Sequence, residues 1–261
     1  MVNIPRKSIV LDKMRAGKRV LSFKLNFSCQ NGPVIPALAG FDCLWICQEH
    51  VPTTDYSTMC AQINCARAYG MDTIVRVQKG CYSDYILPLE ADAAGIMVPH
   101  LMSAAEARDI VRWTRYHPIG RRPLDGGNAD GLYCRISPAE YTSFVNLNRM
   151  VIVQIEDPEP LAELDEICQV PGIDMIFFGP GDFSHSLGYV GELEHPEVER
   201  ARRLIAETAN KYGKFAGTVT GLDTMEQYYR MGYHFLNCGS DVGALNTYCD
   251  KIVSHFNNLQ L

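Results

Sequence analysis

The sequence predicts a (β/α)8 barrel. Three observations carry that expectation. Eight short apolar runs recur along the chain, amphipathic helical stretches fall between them, and the length of 261 residues matches the roughly 250 that such a barrel takes. A doubly wound open sheet is the alternative, but no Gly-x-Gly-x-x-Gly follows any of the runs.

The runs read as strands at Val20–Leu25, Cys43–Cys47, Thr73–Val77, Gly95–Val98, Met150–Ile155, Met175–Phe178, Phe215–Val219 and Phe235–Cys238. Each is rich in Val, Ile, Leu, Phe or Cys and none alternates cleanly with polar residues, as expected of parallel strands buried on both faces. Between them, helices are expected at about Thr54–Tyr69, Leu161–Gln169, Pro196–Tyr212 and Thr224–Met231. Another begins at Ser103, where Ser103 to Glu106 has the form of a capping box ahead of Ile110, Val111 and Trp113. Arg115–Asn146 breaks the rhythm. Its Gly120–Gly131 stretch is full of turn residues and reads as a lid or a subunit-contact loop at the active-site rim. No linker or low-complexity segment divides the chain, so residues 1–261 read as one domain.

With 47% hydrophobic and 21% charged residues, the chain has the composition of a soluble protein able to bury a sizeable core. The net charge of −6, without a block of Lys or Arg, argues against nucleic acid and anionic membranes as partners. Met1–Lys18 is basic but lacks the apolar core of a signal peptide, and no run reaches the roughly 18–20 residues of a membrane span. None of the ten cysteines forms a Cys-x-x-Cys pair, and several lie inside apolar runs, so they read as reduced core thiols of a cytoplasmic protein.

Catalytic groups of a barrel stand at the C-terminal ends of its strands. The second strand ends in Gln48-Glu49-His50, the third in Arg76-Val77-Gln78, the fifth in Gln154-Ile155-Glu156-Asp157, and the sixth in Gly179-Pro180-Gly181-Asp182. Glu156 follows an apolar run, where a carboxylate is costly unless paired or bound to metal. Gly179 and Gly181 let the backbone approach a small ligand beside Asp182. Two carboxylates with open positions suit a hard divalent cation, while strand-end acids also pair with Arg or cap helices. Spacing alone does not choose between these. His50 has the chemistry of a general base or of a structural histidine. Arg76 can stabilise a developing enolate oxygen or simply pair with Glu49 or Glu156.

Taken together these segments resemble the class II pyruvate aldolases of the HpcH/HpaI family, of the 4-hydroxy-2-oxoheptanedioate and 2-keto-3-deoxy-rhamnonate aldolase type. The resemblance rests on Phe41–His50, Ile74–Val77, Gly95–Pro99, Val153–Glu156 and Pro171–Gly188, and runs from about residue 15 to 250. It implies a TIM barrel of the phosphoenolpyruvate/pyruvate type. It also implies homo-oligomers, commonly hexamers built as trimers of dimers, whose last helix is exchanged between subunits. By position, Glu156 and Asp182 match the ligands of a divalent metal (Mg2+, Mn2+ or Co2+), His50 the catalytic base and Arg76 the enolate-stabilising arginine. Gln154 matches a residue near the pyruvate oxygens, and the N–H groups of Gly181 and Asp182 those that hold its carboxylate. The implied reaction is reversible aldol cleavage of a 4-hydroxy-2-oxo acid to a 2-oxo acid and an aldehyde through a metal-stabilised enolate.

Two positions depart from the family pattern. Cys47 stands where the family has an Asp that orients the His, which leaves Glu49 or a distant carboxylate to compensate. Glu90 stands where the family has an Asp that reaches across a subunit interface. The Cys47 change also motivates a decarboxylase of the oxaloacetate type, or another metal–enolate lyase, as an alternative. A non-catalytic barrel that binds a metal–oxo-acid complex is a further one.

Overall fold

The computed structural model describes residues 5–51 and 53–259. The first four residues of the basic start, and both ends of the 1–261 span read as one domain, lie outside them.

The chain runs through α1 (Ile9–Arg15), β1 (Val20–Leu25), α2 (Val34–Ala39), β2 (Cys43–Cys47), α3 (Tyr56–Ala68), β3 (Asp72–Arg76), α4 (Tyr82–Glu90), β4 (Gly95–Val98) and α5 (Ala104–Thr114). It continues through α6 (Pro138–Asn148), β5 (Met150–Ile155), α7 (Leu164–Gln169), β6 (Met175–Phe178), α8 (Pro180–Ser186), α9 (Pro196–Lys211), β7 (Phe215–Thr220), α10 (Met225–Arg230), β8 (Phe235–Ser240) and α11 (Asp241–Asn257). The eight strands are parallel, pair in sequence order and close β8 onto β1, so the predicted (β/α)8 barrel is the fold observed. No helix among the described residues is long and apolar enough to cross a membrane.

Five strands have the expected bounds, and three differ at their ends. β3 starts and ends one residue early because buried Asp72 pairs with Cys43 at its start. β8 extends to Ser240, which pairs with Lys24 across a register shift that follows the Ser22–Asn237 pair. β7 runs on to Thr220, paired with Cys238.

Period-two alternation sorts the strand side chains into two apolar clusters. Leu44, Ile46, Val75, Val98 and Val153 point outward under the helices. Trp45, Ile74, Met97, Ile152 and Phe177 fill the barrel interior, which Val10, Leu11 and Met14 of α1 close from below. The Phe177 ring meets Trp45 and Phe235 edge-on at 5.4 and 6.2 Å between centroids. Continuing the inward rows upward places Lys24, Cys47, Arg76, Gln154 and Asn237 at the C-terminal mouth.

The opposite face is a ring of matched charges. Asp42, Asp72, Asp92 and Asp174 lie at or just before the starts of β2, β3, β4 and β6, and Lys13, Arg6, Arg149 and Arg115 respectively pair with them. Matched charges at this face of a barrel bear on stability rather than on chemistry.

Three local expectations need correction. The Ser103 box is only half formed. Ser103 Oγ accepts from the Glu106 N–H at 3.1 Å, but the Glu106 carboxylate turns to the Met102 N–H and to Lys79. The Arg115–Asn146 segment is not a lid on this chain's rim, because α5 carries the chain back to the N-terminal ends of the strands before it starts. There Arg115 is buried, donates to the carbonyls of Arg149 and Gly172 and pairs with Asp174. The segment then packs through Arg122, Asp130, Tyr116 and Tyr141 into α6, whose Ser137–Glu140 start is a full capping box. Finally, all ten cysteines are unbridged, but only Cys43, Cys47 and Cys168 are buried, and Cys29, Cys81, Cys134 and Cys249 are exposed.

Gly95 tests a tight seam of the barrel, where β4 meets β5. A Cβ there would lie 2.7 Å from Met150 Cβ and 2.8 Å from the Met150 carbonyl oxygen. Gly95→Ala is expected to cost about 1–3 kcal/mol, read as a lower urea midpoint with an unchanged slope.

Candidate active site

The C-terminal mouth gathers the chemistry. Glu156, directly after β5, is 1% exposed. Its Oε1 accepts the His100 N–H at 3.1 Å, and its Oε2 accepts from the Gln154 amide, itself on β5. Gly179, just after β6, leaves the space that this carboxylate occupies. A Cβ there would come within 2.5 Å of Glu156 Oε2 and 2.8 Å of Gln154 Nε2. Asp182, in the first turn of α8, has an exposed carboxylate with no hydrogen bond or ion pair among the described residues. Gly181 and Asp182 are first-turn residues, so their N–H groups have no intrahelical acceptor.

The predicted pair thus sits on one rim, with a third group beside it. Nitrogen or oxygen atoms of His100, Glu156 and Asp182 all lie within 4.8 Å of one another. That spread fits ligands around a single divalent ion, and the donor set suits one. Burial pushes the Glu156 carboxyl up to about 7, against the opposing pull of His100 and Arg76, while the Asp182 charge adds to the rise. A carboxylate held this way gains from any cation placed beside it.

Arg76, at the end of β3, is 4% exposed. Its guanidinium lies 5.0 Å from the centre of the Trp45 ring, its Nη2 donates to Cys47 Sγ at 3.2 Å, and its Nε pairs with Glu49 Oε2 at 2.9 Å. Of the two readings open for Arg76, the pairing with Glu49 is observed, and its charge also reaches Glu156. His50 stands at the rim with 56% of its side chain exposed, and its Nε2 is 3.5 Å from Glu49 Oε2. Cys47 makes no hydrogen bond with the His50 ring. Its Sγ accepts the His50 backbone N–H at 3.4 Å, so Glu49 is the carboxylate beside the imidazole. Glu90 stays outside this group within the chain. It ends α4 and lies 4.0 Å from Arg122.

Two groups at the mouth did not emerge from the sequence. His100 follows β4, and its Nδ1 lies 2.8 Å from Asp157 Oδ2 and its Nε2 3.7 Å from Glu156 Oε1. Burial lowers its pKa, but the Asp157 hydrogen bond and the charges of Glu156, Asp157 and Glu49 outweigh that and raise it. Lys24 ends the inward row of β1, 5.2 Å from the Trp45 ring centre, and burial followed by the Arg76 charge lowers its pKa. Lys24 also opens into a groove of about 810 Å³ between the mouth and α11, lined further by Asn26, Thr220, Asn237 and Lys251. Strand-end inspection of the first and fourth runs was the available signal for both residues.

Comparison with known proteins identifies the fold and the family. Residues 34–247 match the model of the HpcH/HpaI aldolase/citrate lyase family. The chain is 30% identical over 245 residues to a hydroxypyruvate/pyruvate aldolase of Pseudomonas aeruginosa, covering 94% of this chain and 91% of the relative. It is 31% identical over 251 residues to a 2-keto-3-deoxy-L-rhamnonate aldolase of Escherichia coli, with the same coverage of 94% and 91%. The crystal structure of an HpcH/HpaI aldolase from Desulfitobacterium hafniense superposes with a TM-score of 0.90 at 28% identity, covering 98% of both chains. A barrel with a carboxylate-lined mouth, matched along nearly its whole length, belongs to the HpcH/HpaI aldolase/citrate lyase family.

Proposed function

We propose that this chain is a divalent-metal-dependent carbon–carbon lyase. It cleaves a 4-hydroxy-2-oxo acid reversibly to pyruvate, or a related 2-oxo acid, and an aldehyde. The observation that carries the reading is the buried Glu156 carboxylate beside the unpartnered Asp182 carboxylate, with Arg76 facing the same space. The two curated relatives are named for aldol chemistry on 2-oxo compounds.

Glu156 and Asp182 would hold the ion, a divalent cation such as Mg2+, Mn2+ or Co2+. When bound, it acts as a Lewis acid towards the charge developing on the 2-oxo oxygen. The chain supplies the rest. The Arg76 guanidinium, fixed by Trp45, Cys47 and Glu49, adds positive charge near that oxygen without reorganising. The N–H groups of Gly181 and Asp182 receive the substrate carboxylate, and the buried Gln154 amide, whose Oε1 has no partner among the described residues, borders the same oxygens. In the cleavage direction His50 takes the 4-hydroxyl proton, the C3–C4 electron pair stays with the oxo-acid fragment, and the aldehyde leaves. Glu49 offsets the positive charge that His50 gains. The groove at Lys24 and Lys251, rather than Gly120–Gly131 of the same chain, accommodates the aldehyde end.

Decarboxylation of an oxaloacetate-type acid is the second reading. It needs the ion and Arg76 but no base for a hydroxyl, and it is favoured by the exposure of His50 and by the Cys47 thiol bonding to its backbone N–H and not to its ring. Aldehyde-dependent carbon–carbon bond formation assayed beside oxaloacetate decarboxylation separates the two.

The assembly reading also belongs here. None of the residues of α11 is buried, and Leu245, Tyr248, Ile252, Val253 and Phe256 are exposed along it. Ile35 and Leu38 of α2 are likewise exposed. An unpartnered helix of this kind supports exchange of α11 between subunits of a homo-hexamer, arranged as a trimer of dimers, in which Glu90 comes near a neighbour's site. Unbridged cysteines suit a reducing cytoplasm.

Chelation is expected to abolish release of the 2-oxo acid, and Mg2+, Mn2+ or Co2+ to restore it. Glu156→Gln and Asp182→Asn should each lower kcat/KM by about 10²-fold or more, and His50→Asn should lower kcat by roughly 10²–10⁴-fold. Turnover that survives complete metal removal would refute the reading. Metal-free protein has its own pH signature. Glu156 has a folded-state pKa of about 7 against an ordinary 4.5, so the folded state binds more protons and stability falls as pH rises through that window. The raised pKa of His100 acts in the same direction. The melting temperature should therefore drop from pH 5 to pH 8, less so in Glu156→Gln, and divalent ions should flatten the profile. For the assembly, light scattering should give about six times 29.2 kDa. Removal of residues 241–261 should give smaller species, and a monomeric intact chain would contradict the exchange.

A further inference from the structure

We propose that His100 is a third protein ligand to the metal, through Nε2, and that Asp157 is the residue that orients it. The inference rests on the reading of Glu156 and Asp182 as metal ligands and extends it to a group that this reading does not use.

Four observations carry it. His100 Nδ1 lies 2.8 Å from Asp157 Oδ2, and the other Asp157 oxygen accepts from Ser186 Oγ at 3.2 Å. A hydrogen on Nδ1 is thus committed to a carboxylate that is itself held, which leaves the Nε2 lone pair on the opposite edge of the ring. That edge faces the carboxylates, with Nε2 3.7 Å from Glu156 Oε1 and all three donor groups within 4.8 Å. Carboxylate, imidazole and metal in line is the arrangement by which proteins fix the tautomer of a ligating histidine. Third, the His100 backbone is held on both sides, its N–H by Glu156 and its carbonyl by Lys79. Fourth, His100 keeps a positive φ of 47°, unfavourable for a residue with a side chain, and this turn brings its ring back over the mouth.

The consequence is a change of ion class. Two carboxylates and water suit a hard ion such as Mg2+, whereas an imidazole ligand shifts preference towards borderline ions and gives affinities that rise from Mn2+ to Co2+. Three protein ligands on one side still leave positions open for water and for both oxygens of a 2-oxo acid.

The full-length chain, freed of metal and reloaded with Mn2+ alone, provides the test by pulsed electron paramagnetic resonance. Wild type should show a directly bound nitrogen. His100→Asn should lose that coupling while still binding Mn2+ through its carboxylates, and should favour Co2+ over Mg2+ by at least about tenfold less than wild type in calorimetric titrations. Asp157→Asn should keep the nitrogen coupling and bind Co2+ about 10–100-fold more weakly. Mn2+ that binds wild type and is lost in Glu156→Gln, yet shows no nitrogen coupling, would overturn the role of His100 and leave the carboxylate site intact. An absence of Mn2+ binding to wild type would overturn both.

Discussion

The constraint on which the mouth depends is the burial of the Glu156 carboxylate. An ionised carboxyl group that is 1% exposed is costly unless donors or cations surround it. The neighbourhood follows from that cost. Gly179 lacks a side chain because Glu156 Oε2 and the Gln154 amide occupy the place of its Cβ. The His100 backbone turns to give its N–H to Oε1. Arg76 lies near enough to favour the charged form but is ion-paired with Glu49 and donates to Cys47 Sγ. With Asp182 adding negative charge instead of relieving it, the balance at Glu156 is left incomplete on the side that faces solvent and substrate.

The two ends of the barrel treat charge in opposite ways. At the N-terminal face, each of Asp42, Asp72, Asp92 and Asp174 has a cation of its own, and those pairs tie α1, α3 and the long segment after α5 to the strand starts. Such pairs fix geometry and leave nothing over for a ligand. At the mouth, Glu49, Glu156, Asp157 and Asp182 converge around Arg76 and two histidines, and Asp182 has no partner at all among the described residues. The same residue types are therefore matched pair by pair at one end and left partly unmatched at the other.

Much of this was legible from the sequence, for identifiable reasons. Strands buried on both faces are written as short apolar runs, so all eight could be placed, and the Glu156 and Asp182 positions followed from the strand ends. Misplacements arose where tertiary partners override local pattern. Asp72 looks like a polar terminator, but Arg6 and Ser8, some 64 residues away or more, make it the first residue of β3. The Gly120–Gly131 stretch looks like a free loop, but buried Arg122 and Asp130 bind it to Tyr141. His100 was missed for another reason. Its ring acquires meaning only through Asp157, 57 residues on, and no periodicity in either segment signals that pair.

Cys47 shows how a departure from the family pattern is absorbed. A carboxylate at that place would accept hydrogen bonds from the imidazole of His50, and a thiol is a weak acceptor. Here the thiol is buried and serves a different pair of donors, the Arg76 guanidinium and the His50 backbone N–H. It thereby fixes the turn after β2 instead of the ring. Glu49, two residues along, is the carboxylate that reaches both Arg76 and His50 at the mouth. Because Glu49 divides its charge between a guanidinium at 2.9 Å and an imidazole at 3.5 Å, its hold on the ring is the weaker of the two. The Arg76 guanidinium is accordingly the more firmly held group of this mouth, and the His50 imidazole the more loosely held.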